Sequence, residues 1–218
     1  MITSFRNPRV KLLRSLRQRK YRQREGQYLI EGIRIVEEAL TAGAAVDTLV
    51  YAPDLLVSER ARALVERMEP ERRLALSGEL FRSLSERQQP QGIAAAIRFD
   101  DRPLTDNPLA QDLLVIVAHQ LRDPGNLGSI IRTADAAGAS GLVVVGPAVD
   151  LYDPRTVRAT MGSLYALPLV RLADEDPLLP WYEGMRDAGL RLLVVASSAR
   201  GSQVHFEVDY RRPLVLLV

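Results

Sequence analysis

The chain has 218 residues, of which 47% are hydrophobic and 26% are charged, a composition typical of globular proteins. It has no cysteine and only two histidines, which excludes disulfides, thiolate zinc sites and cysteine nucleophiles and argues against a histidine-based metal centre. No apolar run reaches the roughly 18 residues of a membrane-spanning helix. The lack of cysteine indicates a cytoplasmic location, so neither a metal nor a membrane is expected as a partner.

Positive charge is concentrated near the N-terminus, although the formal net charge is only +2. Residues 6–24 contain nine basic side chains and no acidic one. Such a block attracts polyanions, and arginine in particular favours bidentate contacts with phosphate. The alternative is a solvated helix face or a flexible arm. The candidate contacts with nucleic acid in this block are Arg17, Arg19, Arg22 and Arg24.

Helical and strand patterns alternate in the first hundred residues. Apolar residues at helical spacing predict helices over 8–19, 31–42, 58–69 and 78–83. Short apolar stretches predict strands over 27–30, 46–51, 74–76 and 93–97. This alternation predicts a small α/β domain over residues 1–100. A polar stretch with two prolines, residues 101–111, is the predicted linker.

Beyond the linker the strands become apolar throughout, which is typical of parallel sheets buried on both faces. Strands are predicted over 113–118, 141–145, 167–172, 190–196 and 214–218, and helices over 127–137, 154–161 and 180–188. Residues 112–218 therefore form a second α/β domain with a parallel sheet. Because residues 214–218 have the pattern of a central strand, we expect the chain to stop where a ligand-binding loop would begin, through truncation or a tail left out.

The segment 121–138 is the most informative for function. It begins just after the first strand of the second domain, and Asp123, Pro124 and Asn126 are typical turn residues. The following helix points its N-terminus at the ligand edge of the sheet, where Arg132 can reach a phosphate. On these grounds the segment predicts an anion site at a strand end. The alternatives are an ordinary turn capped by Asn126 or a mononucleotide loop, although neither the Rossmann nor the P-loop pattern fits.

This segment carries the pattern D-P-x-N-x-G-x-x-x-R-T-A, which resembles the first motif of the SpoU/TrmH family of RNA 2′-O-methyltransferases in the SPOUT superfamily. The matching residues are Asp123, Pro124, Asn126, Gly128, Arg132, Thr133 and Ala134. Residues 158–164, followed by Leu167 and Pro168, resemble a later family segment. Glu31, Gly32 and Arg34, with residues 91–93, resemble the L30e-like substrate-binding domain of many members.

The resemblance implies S-adenosylmethionine as methyl donor and RNA, most of all ribosomal RNA, as substrate. It implies catalytic roles for Arg132 and Asn126, with Asp123, Gly128 and Thr133 in the active-site loop. It further implies RNA contact by Arg34, donor contact by Ala196 and Ser197, and a homodimer. The structural alternative is that Asn126 and Gly128 only shape a turn.

Two family motifs are missing from the sequence. The second reads roughly Gly-Asn-Glu-Gly-x-Gly, and the third is a helix start rich in Ser, Leu and Asn. In the family they complete a trefoil knot and most of the donor pocket, so the knot is expected to be incomplete in this chain. A non-catalytic RNA-binding protein with the same fold is therefore the rival hypothesis. A Rossmann-type nucleotide-binding protein is disfavoured because its glycine fingerprint is absent.

Overall fold

A computed structural model describes residues 1–106, 112–201 and 203–218. These residues form two compact units: the first unit comprises Met1–Asp100 and Tyr152–Tyr165, and the second comprises Asp101–Leu151 and Ala166–Val218. Residues 107–111 of the predicted linker lie outside the described part of the chain. The division agrees with the predicted boundary near residue 100 but differs over residues 152–165, which the sequence pattern had assigned to the second domain.

The first unit contains a four-stranded mixed sheet. Its strands are β1 (Gln27–Glu31), β2 (Val46–Tyr51), β3 (Arg73–Ala75) and β4 (Ile93–Arg98). They lie in the order β1-β4-β2-β3, with β4 antiparallel to both neighbours and β2 parallel to β3. All four strands occur where the sequence predicted them. Because β4 is apolar and buried from Ile93 to Ile97, it lies in the interior of the sheet between β1 and β2.

Five helices surround this sheet. They are α1 (Pro8–Ser15), α2 (Arg19–Glu25), α3 (Ile33–Thr41), α4 (Glu59–Arg67) and α5 (Gly78–Leu84). The single helix predicted over 8–19 is wrong, since the chain turns after Leu16 and starts a second helix at Arg19. That second helix ends at Gly26, whose φ of 63° suits glycine. The basic segment is therefore two packed helices and not a free arm.

Arg22 explains why the second of these helices packs against the unit. Its side chain is only 2% exposed, and its Nη1 donates hydrogen bonds to the carbonyl oxygens of Leu16 at 2.9 Å and Arg17 at 2.7 Å. Its Nη2 lies 4.0 Å from Asp153 Oδ2. These contacts satisfy carbonyl groups at the end of α1 that the helix itself leaves unpaired. Arg22, predicted to contact RNA, thus lies inside the first unit.

Aromatic packing holds the segment Tyr152–Tyr165 in the first unit. The rings of Phe99 and Tyr152 stack with their centroids 4.1 Å apart, and Tyr28 lies 4.5 Å from Tyr152. The Tyr28 hydroxyl also donates a hydrogen bond to the Tyr165 hydroxyl at 3.3 Å. Burial raises the pKa of Tyr28 and of Tyr165, so both phenols stay neutral. The segment includes helix α7 (Pro154–Ala159), two residues shorter than predicted.

The second unit contains a five-stranded sheet in which every pairing is parallel. Its strands are β5 (Leu114–His119), β6 (Gly141–Val145), β7 (Leu169–Leu172), β8 (Leu193–Ala196) and β9 (Leu214–Leu217). The order is β7-β6-β5-β9-β8, so the first strand of the unit, β5, pairs with the last, β9, in the interior of the sheet. In open parallel sheets ligands bind beyond the carboxyl ends of the strands, and here those ends all lie at one edge of the sheet.

Two helices of the second unit differ from prediction at their starts. Helix α6 (Pro124–Ala136) begins three residues earlier than expected, and α8 (Leu178–Asp187) begins two residues earlier. The prediction that the whole sheet is covered is wrong for β8, whose residues are at most half-buried and whose Val194 is 50% exposed. Within the described ranges, no helix combines the length and apolar character that crossing a bilayer requires.

The two neighbouring arginines of α2 allow a test of this packing. We expect Arg22→Ala to lower the free energy of unfolding by about 3 kcal/mol, because it leaves buried carbonyl groups unpaired. Arg24→Ala is the matched control, since Arg24 is exposed and should contribute less than about 0.5 kcal/mol. Urea denaturation measures both. Equal losses in the two variants would contradict the structural role of Arg22.

Candidate active site

The start of helix α6 is built by Asp123. Its Oδ1 accepts a hydrogen bond from the Asn126 backbone N–H at 2.8 Å, which caps the helix, and Pro124 occupies the first helical position. The alternative that Asn126 is the capping residue is therefore wrong. Gly128 lies inside the helix and is buried, so it does not form the turn either. The Asn126 side chain is exposed and available for another role.

The polar residues of the motif share the solvent-facing side of α6. Asn126, Arg132 and Thr133 are exposed, whereas Leu127 and Ile131 are buried. Among the residues that the structure describes, Arg132 forms no ion pair and no side-chain hydrogen bond. Its guanidinium is therefore free to bind an anion, and no protein carboxylate has to be displaced first.

Helix geometry fixes how these side chains can act together. Asn126 and Arg132 are six positions apart, which separates them by about 9 Å along the axis and about 120° around it. They can therefore contact neighbouring groups of one ligand but not the same atom. Thr133 follows Asn126 by seven positions and lies on the same side of the helix two turns later. The motif thus presents Asn126 and Thr133 along one side of the helix and Arg132 on a neighbouring side.

Backbone strain marks the carboxyl end of β5. Gln120 has a φ of 52°, an uncommon conformation for a residue other than glycine, and its N–H donates to the Val145 carbonyl at 3.0 Å. His119 N–H donates to the Val218 carbonyl at 3.0 Å, which connects β5 to the end of β9. Strain of this kind often occurs at functional sites. The sequence analysis missed Gln120 because no composition or spacing signal distinguishes it.

Ala196 and Ser197, predicted to contact the methyl donor, lie at the same edge of the sheet. Ala196 ends β8, and the Ser197 N–H donates a hydrogen bond to the Leu217 carbonyl at 2.9 Å. Both residues are exposed. Strand β9 lies between β8 and β5, so these residues are about 10 Å from the β5 end.

The edge fits part of a donor site. Gly146 follows β6 with a φ of 79°, and a Cβ there would approach the Gln120 side chain to 3.1 Å, so glycine keeps the edge open beside the strained residue. Small exposed residues at the end of β8 leave further room for a ligand. In the described part of the chain, no group of three or more histidine, aspartate or glutamate side chains is placed to hold a metal ion.

The remaining predicted RNA contacts lie in the first unit. Arg17 is half-buried, and its Nη2 donates to the carbonyl oxygens of Ser83 and Ser85. Arg19 is exposed. Arg24 is also exposed and lies over the Tyr21 ring at 4.8 Å from the centroid. Arg34 is exposed and pairs with Glu38. Of the predicted RNA contacts, Arg17 and Arg22 therefore hold the fold together, whereas Arg19, Arg24 and Arg34 are exposed to solvent.

A cavity of about 590 Å³, called here the first-unit pocket, lies within the first unit. It brings together the residues that the resemblance to the L30e-like domain had singled out. Glu31, Gly32, Arg34 and Gln91 all line it, and they are joined by Arg158 and other residues of the Tyr152–Tyr165 segment. The sequence did not show that the Tyr152–Tyr165 segment meets the other stretches, because Arg158 is far from both Glu31 and Gln91 along the chain.

Comparison with known proteins agrees with this architecture. Residues 7–95 match the MRM3-like substrate binding domain, and residues 113–218 match the SpoU rRNA Methylase family. A 23S rRNA (uridine(2479)-2′-O)-methyltransferase from Streptomyces viridochromogenes is 36% identical over 201 residues, covering 92% of this chain and 70% of the relative. A 23S rRNA (guanosine(2553)-2′-O)-methyltransferase from Bacillus subtilis is 35% identical, covering 78% of this chain and 64% of the relative.

Solved structures give the same result. The SpoU methyltransferase AviRb from Streptomyces viridochromogenes, in complex with the cofactor AdoMet, superposes with a TM-score of 0.91 at 34% identity, covering 98% of this chain and 81% of that one. An AdoMet-bound rRNA methyltransferase from Sinorhizobium meliloti has a TM-score of 0.83 at 35% identity, covering 99% and 79%. These matches, together with the motif on α6, show that the chain belongs to the SpoU rRNA methylase family.

Proposed function

We propose that this protein methylates the 2′-hydroxyl of a ribose in ribosomal RNA with S-adenosylmethionine as methyl donor. The observation that carries the proposal is the exposed face of α6, the helix that starts just beyond the carboxyl end of β5 and carries Asn126 and the unpaired Arg132. The proposal also agrees with the family of the chain and with relatives named as ribosomal RNA 2′-O-methyltransferases.

The chemistry requires activation of a weak nucleophile. In the reaction a bond forms between the ribose 2′-oxygen and the methyl carbon, the carbon–sulfur bond of the donor breaks, and the hydroxyl proton leaves. The donor supplies an electrophilic methyl group on a positively charged sulfur. A sugar hydroxyl attacks poorly at neutral pH unless its proton is removed as the bond forms. The protein must therefore hold the hydroxyl in line with the methyl group and help the proton leave.

Arg132 performs the positioning part of this work. A guanidinium stays protonated in proteins and presents five fixed N–H donors, so it does not act as a base but binds phosphate well. Because Arg132 is exposed and unpaired among the described residues, it can grip a phosphate next to the target ribose. The bound phosphate fixes the orientation of the sugar and lies close enough to influence the leaving proton.

Asn126 acts at a second point of the same nucleotide. Its amide both donates and accepts hydrogen bonds, so it can hold a ribose hydroxyl or the loop that leads to it. The separation of about 9 Å from Arg132 along the helix matches contact with a neighbouring group and not with the same oxygen atoms. At the end of β8, Ala196 and Ser197 would contact the donor.

The first unit supplies the RNA-binding surface in this proposal. Arg19, Arg24 and Arg34 are exposed there, and residues 7–95 match a substrate-binding domain. Arginine side chains bind RNA mainly through phosphates, which gives affinity that depends on salt. Arg22 is excluded from this surface because it is buried.

For Arg132→Ala, methyl transfer to ribosomal RNA should fall at least about a hundredfold, because the hydroxyl loses its orientation in the transition state. Affinity for S-adenosylmethionine, measured by calorimetry, should change less than twofold. Arg186→Ala is the matched control, since Arg186 is an exposed arginine on α8 of the same unit, and it should retain normal transfer. Normal turnover of the Arg132 variant would refute the assigned role.

The double variant Arg19→Gln/Arg24→Gln should weaken RNA binding and reduce the slope of log affinity against log salt by about 1.5 to 2, because two phosphate contacts are lost. The control is Arg67→Gln/Arg72→Gln, which removes the same charge from exposed positions in and after α4. Filter binding at several salt concentrations measures both slopes. Equal slopes for the two variants would exclude a specific contact by α2.

We also propose that the enzyme is a homodimer. Exposed apolar residues in the second unit support this, since large exposed apolar side chains often mark contact surfaces. They are Leu179, Val194, Val204 and Phe206. Sedimentation equilibrium should give twice the 24.2 kDa mass of one chain, and Val194→Glu should shift the protein toward the single-chain mass. A single-chain mass for the unaltered protein at all concentrations tested would contradict the proposal.

A further inference from the structure

The first-unit pocket is large enough for one nucleotide. Its volume of about 590 Å³ lies in the range of about 300–1,000 Å³ found for sites that enclose a single small molecule. All the residues that line it belong to the first unit, and none of them is a residue of α6 or of the second sheet. Neither the motif on α6 nor the proposed methyl transfer uses it.

One wall of the pocket is apolar. It is formed by strand, helix and turn residues that include Leu29, Ile33, Leu84 and Val157. A planar, weakly hydrated ring system gains contact on such a wall, as unstacked bases do in RNA-binding proteins. The pocket therefore suits a flat aromatic group better than a hydrated ion.

Met161 adds an exposed thioether to this wall. It is 50% exposed and has a φ of 53°, a strained conformation for a residue with a side chain. The next residue, Gly162, has a φ of 105°, and a Cβ there would clash with the Glu38 carboxylate. The turn is thus fixed by close packing, and it holds a flexible, polarizable side chain at the pocket. Sulfur atoms of this kind make favourable contacts with aromatic rings.

The polar lining of the pocket is positively charged. Five arginines and three glutamates line it. Arg34 pairs with Glu38 at 2.8 Å and Arg158 with Glu86 at 2.9 Å, and both arginines are exposed. Exposed ion pairs add little stability. A phosphate can therefore replace Glu86 as the partner of Arg158 at small cost, and it can bind N–H groups of Arg34 that Glu38 does not use.

Gly32 brings two further polar groups close to the backbone. Its φ is 121°, and a Cβ would lie 3.0 Å from Arg87 Nη2 and 3.2 Å from Gln91 Oε1. The Gln91 Oε1 accepts a hydrogen bond from the Ile33 N–H at 3.0 Å, which fixes the carboxamide. The amide nitrogen of Gln91 then remains as a donor for the edge of a base.

We propose that the first-unit pocket binds one unpaired nucleotide of the RNA substrate, with its base against Leu84, Val157 and Met161 and its phosphate on Arg34 and Arg158. This inference rests on the proposed function and adds to it a second anchoring point on the same RNA. An apolar wall, a fixed amide donor and an arginine rim are the three features that recognition of an unstacked nucleotide requires. The enzyme thereby selects RNA in which a base is free to leave the helix.

The proposal can be tested with two RNA hairpins of equal stem sequence, one with a single-nucleotide bulge and one fully paired. The chain has four methionines, so carbon-13 labelling of their methyl groups gives four resonances, and Met161→Leu identifies the one in the pocket. We expect the bulged hairpin to shift the Met161 resonance and the paired hairpin to leave it in place. Met185, buried in the second unit, provides an internal reference.

Affinity provides the second measurement. The unaltered protein should bind the bulged hairpin about tenfold more tightly than the paired one, and Arg158→Gln should reduce this preference to about twofold or less. Arg98→Gln is the matched control, because Arg98 is also exposed and ion-paired, with Asp47, but does not line the pocket. It should keep the full preference.

Different results would contradict the pocket proposal and the proposed function. The pocket proposal alone would be overturned if the protein bound both hairpins equally and the Met161 resonance did not move. In that case the protein would still methylate ribosomal RNA. Binding of neither hairpin, together with no methyl transfer, would overturn the proposed function and the pocket with it. A shift of Met161 by the bulged hairpin only, lost in the Arg158 variant, would support both.

Discussion

Parallel pairing of β5, β6, β7, β8 and β9 brings all their carboxyl ends to one edge of the sheet. Strand β9 lies between β5 and β8, so the carboxyl ends of these three strands lie side by side where parallel sheets bind ligands. The start of α6, the strained Gln120 and the end of β8 all occur at this edge. Strand direction thus determines where the candidate active site lies, and the motif residues supply its polar side chains.

Arginine serves three different purposes in this protein, and its surroundings decide which. Arg22 is buried and satisfies carbonyl groups, so it belongs to the fold. Arg34 and Arg158 are exposed and paired with glutamates, which keeps them ordered but exchangeable. Arg132 is exposed and unpaired among the described residues, which leaves its guanidinium open to an anion. A count of basic residues does not distinguish these cases.

Local patterns were sufficient to predict most elements of both sheets. The apolar runs around β5 and β6 predicted the parallel sheet, and the pattern that begins at Asp123 predicted where the motif lies. The sequence could not predict the burial of Arg22, because helical spacing does not show which face packs. Nor could it predict that Asp123 and not Asn126 caps α6, since both residue types are good caps. The strand order depends on contacts between distant residues and has no local signal.

The segment Tyr152–Tyr165 has a consequence for the modular history of the enzyme. Since it belongs to the first unit but lies between β6 and β7 in the sequence, the backbone passes from one unit to the other three times. Each unit is therefore built from two separate stretches of the chain. An exchange of substrate-binding domains between relatives that replaced residues 1–100 alone would leave the stacked partner of Phe99 behind. An exchange that preserves this stacking has to carry both stretches together.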